Sequence, residues 1–361
     1  MPGVDHGTRR ERLAARFSEI DVDAFLVTGL VNVRYLTGFT GTNAQLLATP
    51  DGGILFTDPR YDQQSRGEVP DLPRRIYRQD LPAAVAEACR DLGVSRLGFE
   101  SGGISHRTWQ RLEASSGVGL VPTEDEVERL RWTKDPDEIS MLKAAQRITD
   151  EAFERVIGKL VEGITERQVG LELEVAMRQG GAERVGFDTI VAFGESAAEP
   201  HHHPTDRPLR AGDVVKLDFG CVVEGYHSDM TRTVSFGDPP AELRDVYDVV
   251  LRAHLAGIEA LGPGAVTGDV DAAARTVVRD AGFGERFGHG LGHGVGLDIH
   301  EGPSLRAGNE DRIPAGAVVT VEPGIYLPGL GGVRIEDMVV VEETGPRPLP
   351  STSKELVEVP A

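Results

Sequence analysis

A repeated pattern in the second half of the chain constrains its fold more than any other feature. The segment Gly212-Asp-Val-Val-Lys-Leu-Asp218 recurs 104 residues later as Gly316-Ala-Val-Val-Thr-Val-Glu322, so each copy reads as an apolar strand that ends on a carboxylate. An offset of 102 relates the preceding helical regions, from 165–186 to 267–288. Chance similarity between two helix–strand units is the alternative for the helical part. The strand match predicts two related halves whose strand-end acids face each other.

The length and the order of apolar segments predict two domains. A chain of 361 residues exceeds the usual size of one domain. An amphipathic helix followed by the apolar strand Ala24-Phe-Leu-Val27 predicts an α/β domain over residues 1–125. We expect a hinge at Val121-Pro-Thr-Glu-Asp125, because proline and clustered acids bury poorly. Residues 126–361 are predicted to form an α+β domain that opens with a long helix near Asp135.

Charge and cysteine content exclude several classes of protein. The formal net charge of −20 would repel a nucleic-acid backbone, and no local basic patch offsets it. Cys89 and Cys221 are the only cysteines, which excludes a disulfide framework and a thiolate metal cluster. Residues 1–12 lack the apolar core of a signal peptide, and no run approaches the roughly 18 apolar residues of a membrane span. We therefore expect a cytoplasmic protein with neither nucleic-acid nor membrane partners.

The first strand-end acid belongs to a predicted β-hairpin. A turn at Glu224-Gly225 would place Asp218 and Asp229 on neighbouring strands and on the same face, within reach of one ligand. Two carboxylates so placed repel each other, which raises one pKa unless a cation lies between them. A surface hairpin with solvated acids is the alternative.

A glycine-rich segment carries three histidines. His289, His293 and His300 lie among five glycines between residues 288 and 300. Glycine lets a backbone approach a ligand closely, and the imidazoles can provide one metal ligand and two donors to a substrate. A lone histidine is more often structural, but three together in a segment with few core side chains favour a functional role.

Two further carboxylates, Glu322 and Glu336, each close a short apolar strand. A charge in such a place is costly unless it is neutralised. With Asp218, Asp229 and His293 they make four carboxylates and one imidazole, an oxygen-rich set suited to Mn²⁺, Co²⁺ or Zn²⁺. Such a set can hold two cations about 3.5–4 Å apart.

In their order along the chain, Asp218, Asp229, His293, Glu322 and Glu336 and their motifs resemble those of the pita-bread metallopeptidases. This group includes proline aminopeptidases, prolidases and methionine aminopeptidases. The segments 32–41 (NVRYLTGFTG) and 57–64 (TDPRYDQQ) resemble the creatinase-type N-terminal domain of the proline-specific members. Methionine aminopeptidases lack that domain and are less favoured. The resemblance implies an α/β creatinase-like domain followed by an α+β pita-bread catalytic domain with an internal pseudo-two-fold repeat.

The resemblance also implies a ligand set for two divalent cations, of which Mn²⁺ is our first expectation and Co²⁺ or Zn²⁺ the alternatives. Asp229, His293 and Glu322 are expected around one metal. Asp218 and Glu336, again with Asp229, are expected around the other.

Five residues are predicted to be catalytic by the same resemblance. His201 would contact substrate, and either His289 or His201 would help to position the proline-side residue. His300 would bind the scissile carbonyl or the tetrahedral intermediate. Glu322 would serve as acid and base for the bridging water, and Arg334 is predicted to join them. The alternative for His201 is a solvated loop in which it is one of three consecutive histidines.

The predicted function is a dinuclear Xaa-Pro aminopeptidase acting on proline-containing peptides, with an Xaa-Pro dipeptidase (prolidase) as the alternative. Many prolidases resemble one another in carrying arginine after the Glu-x-Pro that follows the late histidine. Here Ser304 holds that place, although Arg306 lies near enough to substitute. A metal-free creatinase-like hydrolase or a non-catalytic binding protein would show gaps among the five ligands, and there are none. Family members are often oligomers, so we expect a homodimer.

Overall fold

A computed structural model describes residues 4–78 and 80–361. The chain divides into two compact units, Met1–Arg131 and Trp132–Ala361. Within the described ranges no helix is long and apolar enough to cross a membrane. The boundary that we predicted at residue 125 stays a prediction, and each unit is described by itself.

The first unit is a mixed six-stranded sheet with helices. Its helices are α1 (His6–Ala14), α2 (Leu30–Thr37), α3 (Asp62–Glu68), α4 (Leu81–Leu92), α5 (His106–Ser116) and α6 (Glu126–Arg131). Its strands are β1 (Ala24–Val27), β2 (Ala44–Thr49), β3 (Gly52–Thr57), β4 (Arg74–Ile76), β5 (Arg96–Glu100) and β6 (Gly119–Thr123). Their order in the sheet is β4-β3-β2-β1-β5-β6. The predicted α/β class of this unit is confirmed.

The hinge that we predicted at Val121–Asp125 is wrong for its first three residues, which belong to β6. This strand pairs with β5 in parallel, with Phe99 opposite Pro122. Since β6 is the last strand of the sheet, one side of it needs no ladder partner, and proline is tolerated there. The proline therefore marks a sheet edge rather than a linker.

The second unit contains four long helices and fourteen strands in the part of the chain that the structure describes. The helices are α7 (Pro136–Ile157), α8 (Glu166–Gln179), α9 (Ala241–Glu259) and α10 (Thr267–Asp280). The strands up to α9 are β7 (Arg184–Val185), β8 (Ile190–Phe193), β9 (Val214–Phe219), β10 (Cys221–Val223), β11 (Tyr226–His227) and β12 (Met230–Phe236). The later strands are β13 (Gly292–Gly294), β14 (Glu301–Leu305), β15 (Val318–Val321), β16 (Gly324–Leu327), β17 (Gly331–Arg334), β18 (Asp337–Glu342), β19 (Gly345–Pro348) and β20 (Glu358–Val359).

These strands form two principal sheets, one in each half of the unit. The first has the order β20-β12-β9-β8 and the second the order β14-β13-β15-β18-β19. Helices α7 and α8 contribute to the apolar core of the first sheet, and α9 and α10 to that of the second. The start of α7 is fixed by a capping box between Asp135 and Glu138, as its acidic, proline-containing start predicted.

The internal repeat is real, but its helical part is offset by one residue from our prediction. Helices α8 and α10 begin 101 residues apart, at Glu166 and Thr267, and not 102 apart. Gly163 and Gly264 precede them with φ of 86° and 82°. Both have left-handed backbone conformations that favour glycine. Matching the side chains gave the wrong offset because the surface of a helix accepts many residue types. A left-handed turn favours glycine, so the glycines show the correct offset.

The strand part of the repeat has the predicted offset of 104. Gly212 and Gly316 have φ of 89° and 82°, and their amides donate to the carbonyls of Phe236 and Val341. Strands β9 and β15 thus start from equivalent turns, each in the interior of its sheet. The two halves therefore deliver their strand-end carboxylates to equivalent places.

Candidate active site

The predicted hairpin brings two acids to one face. The turn residues Glu224 and Gly225 have φ of 50° and 82°, and they join β10 to β11. Between β9 and β12, Asp218 lies opposite Thr231. Asp229 is two residues before Thr231, so it is the diagonal neighbour of Asp218 on the same face, as predicted.

Two glycines of the 288–300 segment, Gly292 and Gly294, lie against the backbone of neighbouring strands. A Cβ at Gly292 would lie 2.0 Å from the carbonyl oxygen of Thr320, and one at Gly294 would lie 2.1 Å from that of Gly302. No side chain fits between these backbones. Glycine on both sides of His293 therefore lets β13 enter the sheet while the imidazole faces the opposite way.

The two later acids flank neighbouring strands of the second half. Glu322 follows β15, and its amide donates to the carbonyl of Leu291 at 2.8 Å. Glu336 immediately precedes β18, its amide donates to the carbonyl of Thr231, and its Oε2 accepts from the Thr231 hydroxyl at 2.7 Å. These backbone bonds tie Glu322 to the histidine segment and Glu336 to the hairpin.

All the predicted site side chains line one cavity of about 450 Å³ in the second unit. They are His201, Asp218, Asp229, His289, His293, His300, Glu322, Arg334 and Glu336. Residues separated by up to 135 positions in the sequence thus converge on one place, although the individual role of each stays a prediction.

The centre of the cavity has the chemistry of a cation site. Ligand atoms of Asp229, His293 and Glu336 all lie within 4.8 Å of one another. The Nε2 of His293 is 3.7 Å from Asp229 Oδ2 and 3.5 Å from Glu322 Oε1. The buried Oδ1 of Asp218 has no hydrogen-bond partner, as expected of an oxygen that awaits a cation. This donor set fits divalent cations.

Burial and mutual repulsion make the carboxylates hard to ionise together. Burial raises the pKa of Asp229, and Glu336 and Asp218 raise it further. The pKa of Glu336 is raised by burial and then by Glu322, while burial brings the pKa of Glu322 to about 7. Like charges in a dry site are unstable unless positive charge is supplied. The cluster therefore favours cation binding.

Two imidazoles of the cavity, those of His289 and His293, have lowered pKa values. Burial lowers the pKa of His293 to about 4, with a contribution from His300, whose ring centroid is 4.4 Å away. Burial, followed by the charge of Arg334, lowers the pKa of His289 to about 4. A neutral imidazole keeps a lone pair for a metal or a donor for a substrate.

Arg334 connects the first strand-end acid to the rest of the cavity. Its Nη2 donates to Asp218 Oδ2, its Nε to the Thr231 hydroxyl at 3.0 Å, and its Nη1 to the Pro200 carbonyl at 3.2 Å. Burial opposes its charge, but Tyr326 and Asp218 outweigh burial and raise its pKa. Arg334 therefore orients Asp218 from the side away from its unpartnered oxygen.

Tyr326 is a further residue of the site that was not predicted from the sequence. Its hydroxyl lies 2.8 Å from His289 Nε2 and accepts from Arg334 Nη1 at 3.0 Å. The only signal for it was an aromatic residue two positions beyond the Pro-Gly turn that follows Glu322, which also suits an ordinary strand. Tyr326 holds two predicted catalytic side chains in fixed orientations.

The three consecutive histidines have different surroundings. His202 is buried, with Nε2 2.9 Å from Glu166 and Nδ1 2.8 Å from Glu199. All three line the cavity, but only His201 and His203 are exposed. The structural use of His202 favours His201 or His203 as the substrate contact, and His201 remains our choice.

Comparison with known proteins supports the two-domain architecture and the metallopeptidase class. Residues 140–343 match the model of metallopeptidase family M24, and residues 9–133 match that of the creatinase/prolidase N-terminal domain. An Xaa-Pro dipeptidase of Pyrococcus furiosus is 34% identical over 357 residues, covering 97% of this chain and 99% of the relative.

Two solved structures are similar over nearly the whole chain. An Xaa-Pro dipeptidase from Bacillus anthracis has a TM-score of 0.95 and 37% identity, covering 98% of this chain and 100% of that one. An X-Pro aminopeptidase from Thermotoga maritima has a TM-score of 0.89 and 36% identity, covering 97% and 99%. The expected creatinase-like and pita-bread architecture is confirmed. The chain belongs to metallopeptidase family M24 and carries the creatinase/prolidase N-terminal domain.

Proposed function

We propose that the protein is a dinuclear metal-dependent Xaa-Pro dipeptidase, which hydrolyses dipeptides whose second residue is proline. The observation that carries the proposal is one cavity that contains the carboxylate–imidazole cluster together with a cationic side chain, Arg306. The relatives named dipeptidases favour this function over the aminopeptidase that we expected from the sequence.

The five ligand residues fit a pair of divalent cations, with Mn²⁺ our first choice. Asp229, His293 and Glu322 would hold one, and Asp218 and Glu336, with Asp229 shared, would hold the other. Such a pair, when bound, supplies Lewis acidity and acidifies a water molecule.

The other residues position the peptide and move protons. Glu322 takes up and returns a proton during hydrolysis, which is the role of a general acid–base residue. His300 and His201 donate hydrogen bonds to the carbonyl groups that flank the scissile bond, and fixed donors there stabilise developing negative charge. Tyr326 orients His289 toward the proline side.

A dipeptide differs from a longer peptide in that its carboxylate lies one residue beyond the scissile bond. Arginine recognises carboxylates through two parallel hydrogen bonds. Arg306 lines the cavity, as does Ser304, whose position holds arginine in many prolidases. We propose that Arg306 binds the substrate carboxylate.

The decisive experiment loads the protein with Mn²⁺ and compares hydrolysis of Xaa-Pro with that of Xaa-Pro-Yaa-Zaa. We expect efficient cleavage of the dipeptide only, and a KM for it that rises about 10-fold or more in Arg306→Ala, as loss of a charge-assisted contact predicts. Arg279→Ala is the matched control, because Arg279 is exposed and pairs with Asp280. Release of the first residue from the tetrapeptide alone would overturn the dipeptidase proposal.

An Xaa-Pro aminopeptidase is the second candidate. The Thermotoga maritima structure bears that name, and Ser304 lacks the charge of an arginine at its position. In that case Arg306→Ala would leave cleavage of the tetrapeptide unchanged. The expected homodimer also stays a prediction, which light scattering tests.

A further inference from the structure

Lys216 is a buried residue on β9 for which the proposed mechanism has no use. It lies on β9 two residues before Asp218, so both side chains project from the same face of the strand. Its side chain is 0% exposed. Lysine is almost never fully buried unless its amino group is paired.

The partners of Lys216 are backbone carbonyls of one segment. Its Nζ donates to the carbonyls of Ala197 at 3.2 Å, Glu199 at 2.5 Å and Pro200 at 3.4 Å. The same nitrogen lies 5.3 Å from the ring centroid of Tyr326. The hydrogen-bond donors of this amino group are therefore directed at the backbone of the 197–200 segment.

This segment has little regular structure of its own. Gly194–Ala198 is a short helical turn, and no helix or strand lies between Glu199 and Arg207. Buried carbonyls outside a helix or sheet need donors from elsewhere. Lys216 provides them, and Arg334 Nη1 adds one to Pro200.

The far end of the segment is held by a second buried residue. Glu166 Oε2 contacts His202 Nε2 at 2.9 Å and accepts from the amide of Thr205 at 2.9 Å. His201 lies between the Lys216 anchor and the Glu166 anchor, with its side chain exposed to the cavity. The position of the His201 imidazole therefore depends on where Lys216 holds the chain.

We propose that Lys216 is a positioning residue that fixes the 197–200 segment and thereby sets His201 against the substrate. This deepens the proposed dipeptidase function, and its kinetic readout rests on that function. The amino group acts through the backbone of the neighbouring segment and not on the reacting atoms.

The test is a double-mutant cycle between Lys216→Met and His201→Ala. Methionine keeps the apolar stem but loses the donors. We expect kcat/KM for Xaa-Pro to fall about 10- to 100-fold in Lys216→Met, since misplacement by about 1 Å is that costly. The double variant should be no worse than His201→Ala alone, because Lys216 acts through that histidine. Lys216→Arg should recover part of the activity, and Mn²⁺ affinity measured by calorimetry should stay unchanged in Lys216→Met.

Lys354→Met is the matched control. Lys354 is mostly buried and bonds to a carboxylate, but it does not line the cavity. It should lower thermal stability and leave kcat/KM unchanged. Additive losses in the cycle, or activity of Lys216→Met within twofold of the unaltered protein, would overturn the proposal.

Hydrogen–deuterium exchange gives a readout that does not require activity. Exchange in the peptide covering 194–205 should accelerate in Lys216→Met but not in Lys354→Met, while α8 exchanges unchanged. If the unaltered protein cleaves no Xaa-Pro dipeptide, the proposed function fails, and exchange alone decides the role of Lys216. Should Lys216→Met not fold, Lys216→Gln enters the same measurements, and unaltered exchange there would refute the proposal.

Discussion

Glu336 and Asp337 are adjacent buried carboxylates whose surroundings differ completely. Glu336 faces the cavity, where the Thr231 hydroxyl donates to it and where Asp229 and Asp218 are its neighbours. Burial, followed by the charges of Glu322 and Asp218, raises its pKa. The charge of Arg334 and the Thr231 hydroxyl lower the pKa of Glu336, but burial and repulsion outweigh them.

Asp337 projects from the opposite face of the strand, as alternation requires. Its Oδ1 accepts from Arg232 at 2.7 Å, and its Oδ2 lies 2.8 Å from Lys354 Nζ and 3.2 Å from His254 Nε2. Burial opposes ionisation, yet His254 and Arg232 hold its pKa well below the usual range. One acid is neutralised by the protein itself, and the other requires a cation from outside.

We expect the largest effect on stability from replacing Asp337, whose charge is neutralised by basic side chains of the protein. Asp337→Ala leaves the buried Arg232 guanidinium without its carboxylate, and an uncompensated buried charge costs about 3–5 kcal/mol. We expect that loss in the free energy of unfolding in urea. Glu342→Ala is the control, because its pair with Arg347 is much more accessible to solvent than that of Asp337 with Arg232. A loss below about 1 kcal/mol would mean that Asp337 does not stabilise the fold as its contacts indicate.

Glu336→Gln should lower activity without lowering stability. It removes repulsion, so the metal-free protein should be as stable as before or more stable. Activity with Mn²⁺ should fall by at least about 100-fold, more than the 10- to 100-fold typical of residues that only support a ligand. Calorimetric Mn²⁺ titration checks the cause. Unchanged affinity and activity would remove Glu336 from the ligand set.

The sequence could predict one of these two acids but not the difference between them. Glu336 was identified because it follows a short apolar strand and completes a set of five. Asp337 was not singled out from the sequence. Its partners Arg232, His254 and Lys354 come from three other elements, and nothing local in the sequence indicates that they converge.

The same dependence on distant partners explains which other features could be predicted from the sequence and which could not. The β9 strand and its repeat were predictable because a left-handed turn demands glycine at Gly212 and Gly316. The anchors Lys216 and Glu166 were not predictable, because both bond to backbone or side chains of a segment without a sequence pattern. Patterns show which residues end strands, whereas partners that come from distant segments appear only in the structure.

The pH dependence of the metal-free protein should reveal the cavity acids. Burial raises the folded pKa of Glu322 to about 7 from an ordinary value of 4.5. Its contribution to stability is therefore full below pH 4.5 and is lost as pH rises through 7. Buried His289 and His293, with pKa near 4, oppose this slope only below their unfolded value of 6.5.

Because Asp229 and Glu336 also have raised pKa values, we expect the metal-free protein to lose stability as pH rises from 6.5 to 8. The stabilisation on adding Mn²⁺, followed by calorimetric melting, should grow over the same interval. Glu322→Gln should flatten the metal-free profile. A profile that rises with pH would contradict the arrangement of charges in the cavity.

The smallest expected effect is on stability, in a variant that distinguishes the basic partners of Asp337 from one another. Lys354 is the most exposed of its basic contacts, with 22% of its side chain accessible. Lys354→Met leaves Arg232 and His254 in place, so it should cost about 1 kcal/mol or less, as for a partly solvated ion pair. Kinetics should not change, because the pair lies on the face of β18 away from the cavity. A loss as large as that of Asp337→Ala would show that Lys354, and not Arg232, is the principal counter-charge, and a changed KM would show that the two faces of the strand are coupled.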